Sequence, residues 1–231
     1  ELCRRFQNVA VFRRELASAL HDLGSLWQDE QRRLPEAIDL LRSAIAIERA
    51  ELESGQGAAD VRRQLAASCL SLAEALRLRG ERTEASQLLE QGIDQAEQAQ
   101  AGSSQDARIP PLLLALHWSL TATQVEQGDH AAAALAIEAL VPMLDELGPT
   151  ERAPALRRAA MYCMRCRRLA AADPSLGADE RSSKVSTYAR LAIGLLRDAV
   201  EQGLARAVLA ADSEFAELHG DSTFGAVIGG S

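Results

Sequence analysis

The sequence predicts an all-α chain of about four helical hairpins stacked in series as a solenoid, and three observations carry that prediction. Alanine, leucine, arginine, glutamate and glutamine dominate the 231 residues, while aromatic residues make up only 3%, a composition that favours helix over strand. Apolar positions recur at intervals of three and four, as in Leu16, Leu20, Leu23 and Trp27 or Ile38, Leu41 and Ile45, which is the spacing of one helix face. The chain also repeats itself. FRRELASALHDLG at 12–24 superposes on VRRQLAASCLSLA at 61–73, and LAASCLSLAEALRLRGERTEASQLL at 65–89 superposes on LLALHWSLTATQVEQGDHAAAALAI at 113–137. Units of two helices repeating at that interval bury their apolar faces against their neighbours in series.

Taken in order, residues 1–11 read as the end of a preceding repeat or a linker, as in an excerpt from a longer chain. Helices are expected at about 12–30, 35–53, 59–79, 81–100, 108–127, 129–147, 151–172 and 181–202. Pro35 opens a helix where no N–H donor is needed, and Gly80 and Gly128 follow helical runs where a left-handed residue is wanted. The GQG at 55–57 reads as a loop between hairpins. The resulting repeats span 12–54, 58–101, 106–148 and a longer 151–203, in which LLRDAV at 195–200 repeats LLRSAI at 40–45. Two short helices then form a cap at 207–228. Asp212 and Asp221 are its expected N-caps, and Leu209, Phe215, Leu218, Phe224 and Val227 its expected cover over the last apolar edge. The N-terminal edge has no such device, so edge-to-edge homodimerisation is expected there.

With 47% apolar residues the chain can bury a core without disulfides or a structural metal. A formal net charge of -8 and a pI near 5.1 argue against general affinity for nucleic acid or anionic lipid. The longest apolar run, PPLLLAL, is too short to span a bilayer. Cys3, Cys69, Cys163 and Cys166 have no disulfide-framework spacing, which suggests a reducing, cytoplasmic setting. Lys184 is the only lysine among the 25 basic residues, a bias that fits a GC-rich genome better than a tuned anion site.

The pattern resembles the tetratricopeptide repeat, W-x2-L-G-x2-Y followed by A-x3-F-x2-A. The first hairpin supplies Leu20, Leu23, Gly24 and Trp27, then Ala37, Leu41 and Ala44. The second supplies Cys69, Leu72, Ala73 and Leu76, then Ala85, Leu89 and Gly92, and the third Leu120 and Thr121, then Ala133, Ile137 and Leu140. The third repeat departs by placing Gln124 at the aromatic position, and the terminal proline is missing throughout. The resemblance implies a right-handed superhelix whose first helices line a concave peptide-binding groove. The C-terminal YCMRC, ARLAIGLLRDAVEQGL and DSEFAELHGDSTFGAVI are similar to the repeat tail of bacterial serine/threonine protein kinases, which implies a regulatory or recruiting part of such a kinase. No kinase sequence lies within the chain. A ligand-sensing solenoid of a transcription regulator or signalling ATPase is the alternative.

On the tetratricopeptide resemblance, the groove positions are Ser18, His21, Ser25 and Gln28, then Leu70, Glu74 and Arg77, then Trp118, Ala122, Val125 and Glu126. They lack the lysine, asparagine and arginine set with which related arrays hold a chaperone carboxylate. The mixed surface suits a protein partner, either an amphipathic helix or an extended peptide, held by apolar anchors. Trp118 reads equally as groove or as core. Arg157, Arg158, Arg165 and Arg168 share one helix side and form a candidate anion-binding face.

Cys163 and Cys166 have the spacing of zinc or redox pairs. They fall inside a helix rather than at an N-terminus, and no second pair accompanies them, so a buried structural role is expected. His21, His117, His130 and His219 are scattered, no nucleophile or phosphate-loop motif occurs, and neither cofactor nor catalysis is expected.

Overall fold

The computed structural model describes residues 10–28, 33–55 and 58–229. Residues 1–9, Cys3 among them, together with the end of the first expected helix and the middle of the GQG loop, lie outside the described residues. Eight long helices run in sequence: α1 (Ala10–Gln28), α2 (Leu34–Glu53), α3 (Ala58–Arg79), α4 (Arg82–Gly102), α5 (Ile109–Gln127), α6 (His130–Leu144), α7 (Pro149–Ala172) and α8 (Ala178–Glu201). Among the described residues there is no strand. Neighbours in sequence pack as pairs, α1 on α2, α3 on α4 and α7 on α8. α6 ends at Leu144, three residues before the expected 147, with Pro142 inside its last turn.

The chain divides into two compact units at Thr123 and Gln124, inside α5. In the first unit α2 also packs on α3, and α1 touches α3 directly. Side chains fix the direction of these contacts. His21 and Ser25 of α1 meet Ser68 and Ser71 of α3, whereas Arg42 and Arg49 of α2 reach Glu84 and Gln91 of α4. Both sets advance along the two helices together. First helices therefore run parallel to each other, as do second helices, which is how successive copies of one hairpin stack.

Stacking separates buried from exposed copies of one pattern. Val61, Leu65, Leu72 and Ala75 of α3 are buried, while Phe12, Leu16, Leu23 and Leu26 of α1, the matching positions of the aligned repeat, are 48%, 36%, 36% and 69% exposed. The first four belong to a helix that packs on α1 and α2.

Two glycines set how closely the helices approach. A Cβ at Gly24 would sit 2.7 Å from Leu41 Cγ and 3.1 Å from the Ala37 carbonyl oxygen, and one at Gly92 would sit 2.8 Å from Leu116 Cδ2. Helix ends use glycine differently. At Gly80 (φ +88°), Gly128 (φ +82°) and Gly203 (φ +99°) the next residue's N–H closes a bond back to Leu76, Gln124 and Ala199, so the same left-handed stop recurs three times.

In the second unit, α6 packs on α7. Beyond α8, three short elements follow instead of the expected two: α9 (Arg206–Ala210), a 3-10 helix (Ser213–Leu218) and α10 (Ser222–Gly229). Asp212 accepts from the Glu214 N–H, and Asp221 from those of Thr223 and Phe224. Leu209, Phe215 and Phe224 are completely buried, with Leu218 and Val227 nearly so. The 3-10 helix lies on α7 and α10 on α8.

Gly24→Ala is expected to destabilise the protein by roughly 1–3 kcal/mol through overpacking. Gly194→Ala, inside α8 with nothing within 4 Å of the added carbon, is expected to stabilise it by about 0.5–1 kcal/mol through helix propensity. Urea unfolding midpoints of the two variants check the pair.

Candidate functional site

The surface implied for partner binding begins on α1 and α3. Ser18 and His21 are half-buried, and the structure turns His21 and Ser25 sideways into the contact between the two helices. Ser25 Oγ lies 3.1 Å from Ser71 Oγ, and His21 Nδ1 lies 3.2 Å from Ser68 Oγ. These two are therefore packing residues and do not offer a peptide free side chains. The Gln28 side chain lies outside the described residues. Leu70, Glu74 and Arg77 on α3 are half-buried, as are Ala122 and Val125 on α5, and Glu126 is exposed. Trp118 is only 8% exposed, so the ring belongs to the core and offers no open anchor.

Behind the α1–α3 contact is a buried polar chain that sequence reasoning passed over. Ser68 donates to Glu48 Oε1 at 2.9 Å and faces His21 on its other side. Glu48 is 2% exposed and Ser68 fully buried. Burial pushes the Glu48 carboxyl up to about 7, against the opposing Ser68 hydrogen bond, and burial also lowers the His21 imidazole. Three residues on from Glu48, the buried Glu51 accepts Arg13 and lies 3.7 Å from Arg14. The repeat spacing of Glu48 and Glu51 on the inner face of α2 was the available signal, but a carboxylate on a helix normally reads as solvated.

The arginine face of α7 is answered from within the chain. Arg157 donates to Asp212 through Nε at 3.0 Å, Arg165 reaches Glu214 at 3.3 Å, and Arg168 contacts both Glu214 and Glu217. Arg167 pairs with Glu217. Arg158 is exposed, with its guanidinium 5.9 Å from the centre of the Tyr162 ring. Three of the four expected anion-binding arginines are thus held by carboxylates of the cap. Those carboxylates lie 46 to 55 residues away, too far for a helix-face reading to connect.

Cys163 and Cys166 are buried, 1% and 0% exposed, as is Cys69. Burial raises all three thiols, Cys69 and Cys166 to about 12. No group of three metal-binding side chains exists among the described residues. His130 is tied to Tyr188 OH at 2.9 Å and Asp173 Oδ2 at 3.3 Å, which joins α6 to α8. Among the described residues no helix is long and apolar enough to cross a membrane.

A cavity of about 410 Å³ in the first unit is lined by Arg49, Leu52 and Glu53 of α2, Arg62, Leu65 and Cys69 of α3, and Gln91 and Gln95 of α4. No protein-family model matches the chain, and neither does any curated protein.

Glu48 makes stability depend on pH with a definite sign. Its folded pKa near 7 stands above the ordinary value of 4.5, so its contribution is complete below about pH 4.5 and is lost as pH rises through 7. Glu48→Gln is expected to remove this part of the slope and to raise the melting temperature at pH 8 relative to the parent. Thermal melts of both proteins between pH 4 and 9 measure the difference. Alkylation at pH 8 followed by peptide mass mapping is expected to leave Cys69, Cys163 and Cys166 unmodified in the folded protein and to label all three in urea.

Proposed function

We propose that this chain is a non-catalytic protein-interaction scaffold of the tetratricopeptide solenoid class, working in the reducing environment of the cytoplasm. The observation that carries the reading is the parallel packing of first helices. His21 and Ser25 of α1 lock onto Ser68 and Ser71 of α3, so α1 and α3 lie side by side with α2 and α4 outside them. Helices arranged so present one shared face to a bound peptide. With His21, Ser25 and Trp118 drawn into packing, the candidate binding residues described in the first unit are Ser18 on α1, Leu70, Glu74 and Arg77 on α3, and Ala122 on α5. A leucine beside a carboxylate and a guanidinium suits one apolar anchor flanked by polar contacts.

The resemblance of the C-terminal segments to the tails of bacterial serine/threonine kinases makes a recruiting or regulatory role beside such a kinase the preferred setting. The exposed row Phe12, Leu16, Leu23 and Leu26 on α1 supports association through that edge. A second copy packed there would cover the same positions that α1 and α2 cover on α3.

Immobilised protein, exposed to lysate of the source organism, is expected to retain a partner that Leu70→Asp and Glu74→Arg each release while the melting temperature stays within a few degrees of the parent. Capture that ignores both substitutions removes the groove reading.

A further inference from the structure

Many arginines of this chain meet a carboxylate. Arg13 and Arg14 hold Glu51, Arg42 holds Glu84, Arg63 and Arg108 hold Asp106, and the α7 arginines hold the cap. The cavity between α2, α3 and α4 brings together two that do not. Arg49 donates through Nη2 to Gln91 Oε1 at 2.7 Å, and Arg62 through Nη1 to Gln95 Oε1, also at 2.7 Å. Both acceptors are neutral amides. Neither guanidinium has an ion pair among the described residues, although the chain carries a formal charge of -8. Each has five N–H donors, and one is used. The two arginines thus bring two positive charges and a surplus of donors to one concavity whose floor is Leu52, Leu65 and the protonated thiol of Cys69.

We propose that this cavity binds a small monocarboxylic acid, its carboxylate held by Arg49 and Arg62 and its apolar body resting on Leu52, Leu65 and Cys69. The chemistry narrows the ligand in three ways. A guanidinium fork matches the two oxygens of a carboxylate in one plane. Glu53, on the wall of the same cavity, partly offsets the two positive charges and so disfavours a dianion such as phosphate. The volume of about 410 Å³ lies within the roughly 300–1,000 Å³ typical of small-molecule sites, and the apolar floor rewards a hydrocarbon body over a wholly polar ion. Arg49 and Gln91 belong to successive second helices, so an occupant would brace one hairpin against the next. The site lies behind α3, off the proposed peptide groove, and does not depend on it.

The test titrates the whole chain with sodium benzoate, followed by NMR shifts or calorimetry, with benzamide as the uncharged isostere and inorganic phosphate as the dianion. Benzoate is expected to saturate with a Kd in the millimolar range or tighter, on the order expected of a fragment this small. Benzamide and phosphate are expected to bind at least about tenfold more weakly, and Arg49→Gln and Arg62→Gln each to weaken benzoate by about tenfold or more, the size of one lost charged hydrogen bond. Arg190→Gln, on α8, is expected to change nothing. Benzamide or phosphate binding as tightly as benzoate overturns the proposal without recourse to any variant. No saturation by benzoate, or saturation indifferent to both arginine substitutions in folded protein, overturns it as well.

Discussion

The close approach of paired helices through absent side chains is the constraint on which the rest of the structure depends. Gly24 lets Leu41 and the Ala37 carbonyl come within van der Waals distance of the α1 backbone, and Gly92 lets Leu116 of α5 approach the α4 backbone in the same way. Around these points Ala37, Ala44, Ala66, Ala73, Ala85 and Ala96 are essentially inaccessible. Small residues at an interface shorten the distance between axes, which brings the backbones themselves into contact and lets the longer leucines interdigitate on either side. A chain with few aromatic residues can build a dense core only in this way.

Close packing leaves little room for polar groups, yet the first unit holds several between its hairpins. Glu48, Ser68 and His21 form one line and Glu51 with Arg13 and Arg14 another. Such groups add little net stability, because desolvation consumes most of what their hydrogen bonds return. Their effect is on register: sliding α3 by one residue along α1 and α2 would leave a carboxyl group and an imidazole buried without partners. The apolar stripe permits several registers, and the polar line admits one. The same line makes the interface sensitive to neutral pH, since the carboxyl at its centre titrates near 7.

At the other end the chain uses charge to seat its cap. Phe215 and Leu218 supply the apolar contact, while Asp212, Glu214 and Glu217 align the segment along the arginines of α7. Ion pairs this exposed contribute on the order of 1 kcal/mol or less apiece, so burial of the aromatic and leucine side chains holds the cap and the charges orient it. The arginines in the cavity between α2, α3 and α4 differ in that their hydrogen-bond partners among the described residues are the neutral amides of Gln91 and Gln95.

Most of the fold was legible in the sequence because it rests on short-range rules. Helix formers spaced at three and four residues, glycine at Gly80 and Gly128, proline at Pro35 and aspartate at Asp212 and Asp221 each act within a few residues, and the observed helices start and stop close to where those signals place them. The candidate site was much less legible. Helical spacing says which residues share a face, and it does not say what approaches that face. Trp118 was balanced between groove and core until burial placed it, His21 and Ser25 left the groove once α3 lay beside α1, and the α7 arginines ceased to be an open surface once the cap carboxylates met them. The sequence by itself determined helices, turns and the interval at which they recur, since those follow from local backbone preferences. Only the tertiary structure decided which charges are answered, because ion pairs and cavities form between residues tens of positions apart, whose meeting depends on how closely whole helices pack.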